Sequence, residues 1–168
     1  SGSTATASLS EGRTIGEAVF DPYAVDPEGG ELSFSLAGAN ASLFTIDATS
    51  GEVFSNVVFD YETGPTSYLI QMQASDGVNT TTQDLTVYID NENDSPEFGV
   101  ASVNIGPLSE NTAQGTVIHT ATASDVDPWD GQLYYFLTGA ESTAFSIDSY
   151  SGEVMVSGGL DFAASGDG

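Results

Sequence analysis

Oxygen ligands are gathered at a few points of this chain. Glu11 stands in Leu9-Ser10-Glu11-Gly12, and Glu110 holds the matching place in Leu108-Ser109-Glu110-Asn111. Asp60-Tyr61-Glu62 sets two carboxylates two residues apart, and Asp90, Asn91, Glu92, Asn93 and Asp94 follow one another without a break. Asp125-Val126-Asp127 answers Asp26-Pro27-Glu28 from the first half of the chain. In extended backbone, residues i and i+2 point the same way, so each of these short motifs presents a pair of oxygens. Calcium takes about six to eight oxygens from carboxylates, Asn side chains and carbonyls. Any one pair is as well explained by a solvated turn. Together, at matching places, they point to calcium.

Composition supports a cation partner and excludes others. The chain has 168 residues, with 25 Asp plus Glu, a single Arg, no Lys and one His, for a formal net charge of −24. Nucleic acid and anionic membrane surfaces would be repelled. Either divalent cations neutralise part of this charge, or the protein works in salty water that screens it. Clustering of the acids favours cations, because acids kept for solubility alone would be scattered. There is no Cys, so disulfides and thiolate metal sites are ruled out. No apolar run reaches the roughly 20 residues that span a bilayer. No signal peptide is visible at Ser1, and the chain is expected to be a part of something larger.

The elements that must hold these acids are strands. Residues 43–54 read LFTIDATSGEVF and residues 144–155 read AFSIDSYSGEVM. A self-match about one hundred residues apart means one domain written twice in tandem. Boundaries are expected at 1–94 and 95–168. The apolar pattern has period two: Leu32, Phe34, Leu36; Tyr68, Ile70, Met72, Ala74; Leu85, Val87, Ile89. Turn signals separate these runs at Pro27 to Gly30, Ser50-Gly51, Gly64-Pro65 and Asp76-Gly77. No window offers an amphipathic helix. Short strands at this spacing predict an all-β chain of Greek-key β-sandwiches. In the second copy, strands are expected over 117–123 and 133–137, at Phe145 and Ile147, and at Val154 and Val156. It has no counterpart of the last two strands of the first copy. The second sandwich is therefore expected to be incomplete, with an open edge. Truncation explains this simply, and strands supplied by another chain, giving a homo-oligomer, are the sharper alternative.

In this order the motifs resemble cadherin repeats, particularly the bacterial cadherin-like kind, over essentially the whole chain. Glu11 and Glu110 are similar to the glutamate near the start of each such repeat. Asp60-Tyr61-Glu62 resembles the family's D-R-E motif. Asn91-Glu92-Asn93-Asp94-Ser95-Pro96, then Phe98, resembles its linker N-x-N-D-x-P-x-F. Ala123-Ser124-Asp125-Val126-Asp127 resembles A-x-D-x-D, and Ala74-Ser75-Asp76-Gly77 resembles A-x-D-x-G. The resemblance implies seven-strand sandwiches with calcium bound between successive repeats. Its ligands would be Glu11, Asp60 and Glu62 from the base of the first copy, Asn91, Glu92, Asn93 and Asp94 from the linker, and Asp125 and Asp127 from the top of the second. Asp26, Glu28 and Asp76 would face a preceding repeat. The chain departs from the pattern where Glu28 replaces an Asp and where Asp161-Phe162-Ala163 lacks the second acid. No Trp lies near the N-terminus, so strand-swapped adhesion is not implied.

The expected function follows: a calcium-dependent adhesion module of an exported, membrane-associated bacterial surface protein, with calcium stiffening the junction between repeats. Its partners would be another such module, including a second copy of itself, or a polysaccharide of cell surface or matrix. Two rival readings are a glycan-binding accessory domain of a polysaccharide-degrading enzyme and a passive spacer. Trp129, in a two-residue insertion after Asp127, would stack on sugar or cap a loop. No enzyme is expected. The lone His119 reads as structural, and a hydrolytic Asp60–Glu62 pair would need a cleft to shift one pKa. No nucleophile elbow, phosphate loop or zinc motif is present. Asn40-Ala41-Ser42 and Asn79-Thr80-Thr81 are formal glycosylation sequons.

Overall fold

The computed structural model describes residues 3–127, 131–139 and 143–160. The chain divides into two compact units, Ser1–Glu92 and Asn93–Gly168. Trp129 and the Asp161-Phe162-Ala163 motif lie outside the described residues.

The first unit is a seven-strand sandwich. One sheet holds β1 (Ser3–Ser10), β7 (Thr80–Asp90), β6 (Ser67–Ser75) and β3 (Ser33–Ala37), in that order. The other holds β2 (Ala18–Phe20), β5 (Val53–Ser55) and β4 (Phe44–Ile46). The period-two runs set the inward faces. Ile70, Met72 and Ala74 on β6 and Leu85, Val87 and Ile89 on β7 are buried, while their neighbours alternate outward. Leu9, Phe44, Val53 and Phe59 complete the core. Phe59 packs between Phe44 and Tyr68, with ring centroids at 5.4 and 4.9 Å. Burying this apolar surface is the main force holding the two sheets face to face.

β1 was not foreseen as a strand, because Ala5 and Ala7 give little apolar signal. It pairs with β7 in parallel from Ser3↔Gln83 to Ser10↔Asp90, and all other pairs in the unit are antiparallel. The parallel register delivers the residues that follow both strands to the same end of the sandwich. Glu11 and Asn91 are those residues. Among the described residues the helical structure is a 3-10 turn at Ala41–Leu43 and a 3-10 conformation at Thr143 and Ala144. No helix of the described residues is long and apolar enough to cross a membrane, which says nothing of a β-barrel.

The second unit repeats part of this plan. β9 (Val117–Thr120), β12 (Glu153–Val156) and β11 (Phe145–Ile147) form a three-strand sheet equivalent to β2-β5-β4. β8 (Glu97–Phe98) pairs with β10 (Ala123–Ser124). Two expectations need correction. The strand read over 117–123 breaks after Thr120 and resumes at Ala123. The strand expected over 133–137 is not formed. Its counterpart β3 exists as a strand because it pairs with β6, and nothing among the described residues of the second unit corresponds to β6. A strand's backbone groups need a ladder partner. The alternation of the side chains nevertheless survives: Leu133, Tyr135 and Leu137 are half-buried, and Tyr134 and Phe136 are exposed.

Candidate metal centre

Glu11 is the organising residue at the base of the first unit. It is buried, at 7% exposure. Its Oε2 accepts the backbone N–H of Tyr61 at 2.7 Å, and its Oε1 accepts that of Glu92 at 2.9 Å. Its own N–H donates to the Asp90 carbonyl at 3.0 Å, and the Gly12 N–H donates to the Phe59 carbonyl at 3.1 Å. One carboxylate thereby ties the end of β1, the Asp60-Tyr61-Glu62 turn and the exit from β7. Gly12 has φ +66, a left-handed turn that carries the chain away just past the acid.

Glu62 comes to the same place. Both of its carboxylate oxygens are buried, and Glu11 and Glu62 offer oxygens within 4.8 Å of one another. Asp60 is exposed. Its Oδ1 accepts the Thr63 N–H at 2.8 Å. The Thr63 hydroxyl, and then that N–H, hold its carboxyl below the usual carboxylate range. Asp60 is thus kept ionised and fixed in a turn. Asn91 donates its side-chain amide to the Glu92 carbonyl at 2.9 Å, while the Glu92 side chain is exposed.

The second unit organises its own ligands around Asp127. Asp127 is buried at 8% exposure, and its Oδ2 accepts the backbone N–H of Asp94 at 2.6 Å. Its own N–H donates to Asp125 Oδ1 at 3.1 Å. The Asn93 side-chain amide donates to the Asp94 carbonyl at 2.8 Å. Within the second unit the structure brings Asn93, Asp94, Asp125 and Asp127 together, and within the first it gathers Glu11, Glu62 and the backbone of Glu92. Their buried bonding was not legible beforehand. Spacing identifies a ligand type but does not show which oxygen a backbone N–H will engage.

Outlying acids behave differently. Asp26 accepts the Glu28 N–H at 2.7 Å, a local turn like that of Asp125 and Asp127. Asp76 accepts the N–H groups of Asn79 and Val78 at 2.5 and 2.7 Å, which keep its carboxyl below the usual range. Glu110 is exposed, unlike its counterpart Glu11.

The donors fit a hard cation. Every side chain named is an oxygen donor, and two acids lie buried near one another in the first unit. Taking charge out of water is costly unless it is compensated. Calcium suits such a set, whereas zinc would call for His or Cys.

No protein-family model matches the chain. Cadherin-related family member 1 of Gallus gallus is 30% identical over 163 residues, covering 95% of this chain and 19% of that protein. Protocadherin-16 of Rattus norvegicus is 33% identical over 160 residues, covering 89% of this chain and 5% of that protein. The chain therefore spans a fifth or less of the length of these curated relatives, and both come from animals. Among solved structures, human protocadherin-24 EC1-2 superposes with a TM-score of 0.67 at 22% identity, covering 94% of this chain and 76% of that one. At that identity the superposition speaks to fold alone. The sequence relatives, with the order of motifs, show that the chain belongs to the cadherin-domain family.

Proposed function

We propose that the chain is a calcium-binding adhesion module of an extracellular or cell-surface protein. The observation that carries this reading is the buried Glu11 carboxylate, bonded to two separate backbone N–H groups with Glu62 oxygens within 4.8 Å. In the proposed site Glu11, Asp60 and Glu62 act with Asn91, Glu92, Asn93 and Asp94 and with Asp125 and Asp127. Bound calcium would supply the positive charge that these carboxylates lack. Without it, like charges at the linker repel and the two repeats hinge. Drawn to a shared centre, the same carboxylates stiffen the junction. Extracellular calcium modules bind at about 10⁻⁴ to 10⁻³ M, so seawater or body fluid would load the site and cytosol would not. Adhesion would then be to another cadherin module, including a second copy. A bacterial source rests on the resemblance to bacterial cadherin-like repeats, whereas the sequence relatives come from animals.

Calcium titration by calorimetry and thermal melting tests the reading, on wild type and on Asp94→Ala combined with Glu62→Ala. A ligand that binds only the folded state raises the melting temperature. Saturable binding with a raised melting point, lost in the variant, is expected. No binding at several millimolar calcium would sink it.

A further inference from the structure

The two repeats share one framework but differ on its outer face. In the first, the Phe34 N–H donates to the Ala48 carbonyl at 2.9 Å, and in the second the Tyr135 N–H donates to the Ser149 carbonyl at 2.9 Å. Asp47 and Asp148 cap the same turn, each accepting two backbone N–H groups. Gly51 and Gly152 occupy the same left-handed position, at φ +83 and +73. On this common frame the outward residues Ser33, Ser35 and Thr49 of the first repeat become Tyr134, Phe136 and Tyr150 in the second.

All three rings are exposed, at 63%, 78% and 63%. Alternation places Tyr134 and Phe136 on one side of the extended segment, away from half-buried Tyr135. Tyr134 and Tyr150 meet edge to face, with centroids 5.3 Å apart and planes at 62°. The Tyr135–Ser149 bond and the Asp148 cap fix both ring-bearing segments. A Cβ on Gly152 would run into the Ala121 carbonyl, so that turn is closely seated. Exposed aromatic patches of this kind mark binding surfaces.

We propose that Tyr134, Phe136 and Tyr150 form a stacking platform for the pyranose rings of an uncharged polysaccharide. Sugar rings present flat C–H faces that lie well on aromatic faces, and their hydroxyls need uncharged polar neighbours. Gln132 and Thr138 lie two positions outside Tyr134 and Phe136, and Ser149 and Ser151 adjoin Tyr150. Charge excludes an anionic glycan, because the second unit holds no Lys or Arg in a chain of net charge −24. Size argues against a protein partner. Three aromatic side chains bury about 150–250 Å² each, short of the roughly 800 Å² per partner in a stable protein interface. The proposal is independent of calcium binding.

Affinity electrophoresis of the whole chain tests it, in native gels containing hydroxyethyl cellulose, galactomannan, laminarin or glycogen, with alginate as the anionic control. The variant carries Tyr134→Ser, Phe136→Ser and Tyr150→Thr, the residues that the first repeat already tolerates on this frame. Retardation by at least one neutral polysaccharide is expected, weakened about tenfold or more in the variant at an unchanged melting temperature. Four results would overturn the proposal: free migration in every neutral gel, equal retardation of the variant, a variant melting well below wild type, or loss only of self-association in sedimentation. The last would assign the rings to a contact between copies.

Discussion

Oε1 of Glu11 accepts the backbone N–H of Glu92 at 2.9 Å, across a sequence separation of 81 residues. The other oxygen of that carboxylate holds Tyr61. A metal-ligand candidate is therefore also a structural bolt, and the two roles can be separated. Glu11→Gln keeps the shape but turns one acceptor into an amide that faces an N–H donor. It is expected to destabilise the first repeat by about 1–3 kcal/mol even in chelator. Urea unfolding with EGTA reads this. A variant as stable as wild type would show that the two bonds contribute nothing.

Asp127 offers the matching test in the second unit. Its buried carboxylate accepts the Asp94 N–H at 2.6 Å. Asp127→Ala should lose the calcium-dependent rise in melting temperature, and hydrogen exchange at the Asp94 amide should quicken. Slow exchange in the variant would mean that this amide is held by something else.

Acid should loosen both repeats by the same route. The Ser50 and Thr49 N–H groups hold the Asp47 carboxyl below its usual range, and those of Ser151 and Tyr150 do so for Asp148. A depressed folded-state pKa gives stability that is present above the ordinary carboxylate value and is lost as pH falls through the lowered one. Stability should thus decline below about pH 4, and Asp47→Asn with Asp148→Asn should flatten that decline. Both groups are fully exposed, so the effect is small and screened by salt. An unchanged pH profile in the double variant would refute the assignment.

The first core should be brittle and the outer face of the second unit tolerant. Leu85 is completely buried between β6 and β1, and Leu85→Ala should cost about 2–5 kcal/mol. Phe136→Ser, at an exposed position, should stay within about 0.5 kcal/mol. Chemical denaturation of the two variants compares them directly. A costly Phe136→Ser would mean that the ring is packed in solution.

The strands that carry bulky alternation were legible in advance. Tyr68, Ile70, Met72 and Ala74 announce β6 and its inward face, and Leu85, Val87 and Ile89 do the same for β7. β1 was hidden because Ala5 and Ala7 are small, and its strand state depends on its neighbour β7. The segment 133–137 shows the reverse. Leu133, Tyr135 and Leu137 alternate as a strand should, but pairing is a property of two segments, and no partner strand for them is found among the described residues. At the candidate site, residue types and spacing could be read. The buried bonds of Glu11 and Asp127 could not, because they depend on contacts between residues far apart in sequence.

The parallel pairing of β1 with β7 has a mechanical consequence. β1 enters the first repeat and β7 leaves it, so tension along the chain pulls the two strands past each other lengthwise. Their hydrogen bonds from Ser3↔Gln83 to Ser10↔Asp90 then share the load in shear and must fail together, whereas a hairpin pulled from its open end would unzip one bond at a time. Forced unfolding is governed by the unfolding barrier, so this repeat resists pulling more than its equilibrium stability would indicate. Single-molecule extension would show it as one high-force rupture, and Tyr88→Pro, which removes a backbone donor on the β1-facing side of β7 opposite Ser8, would lower that force.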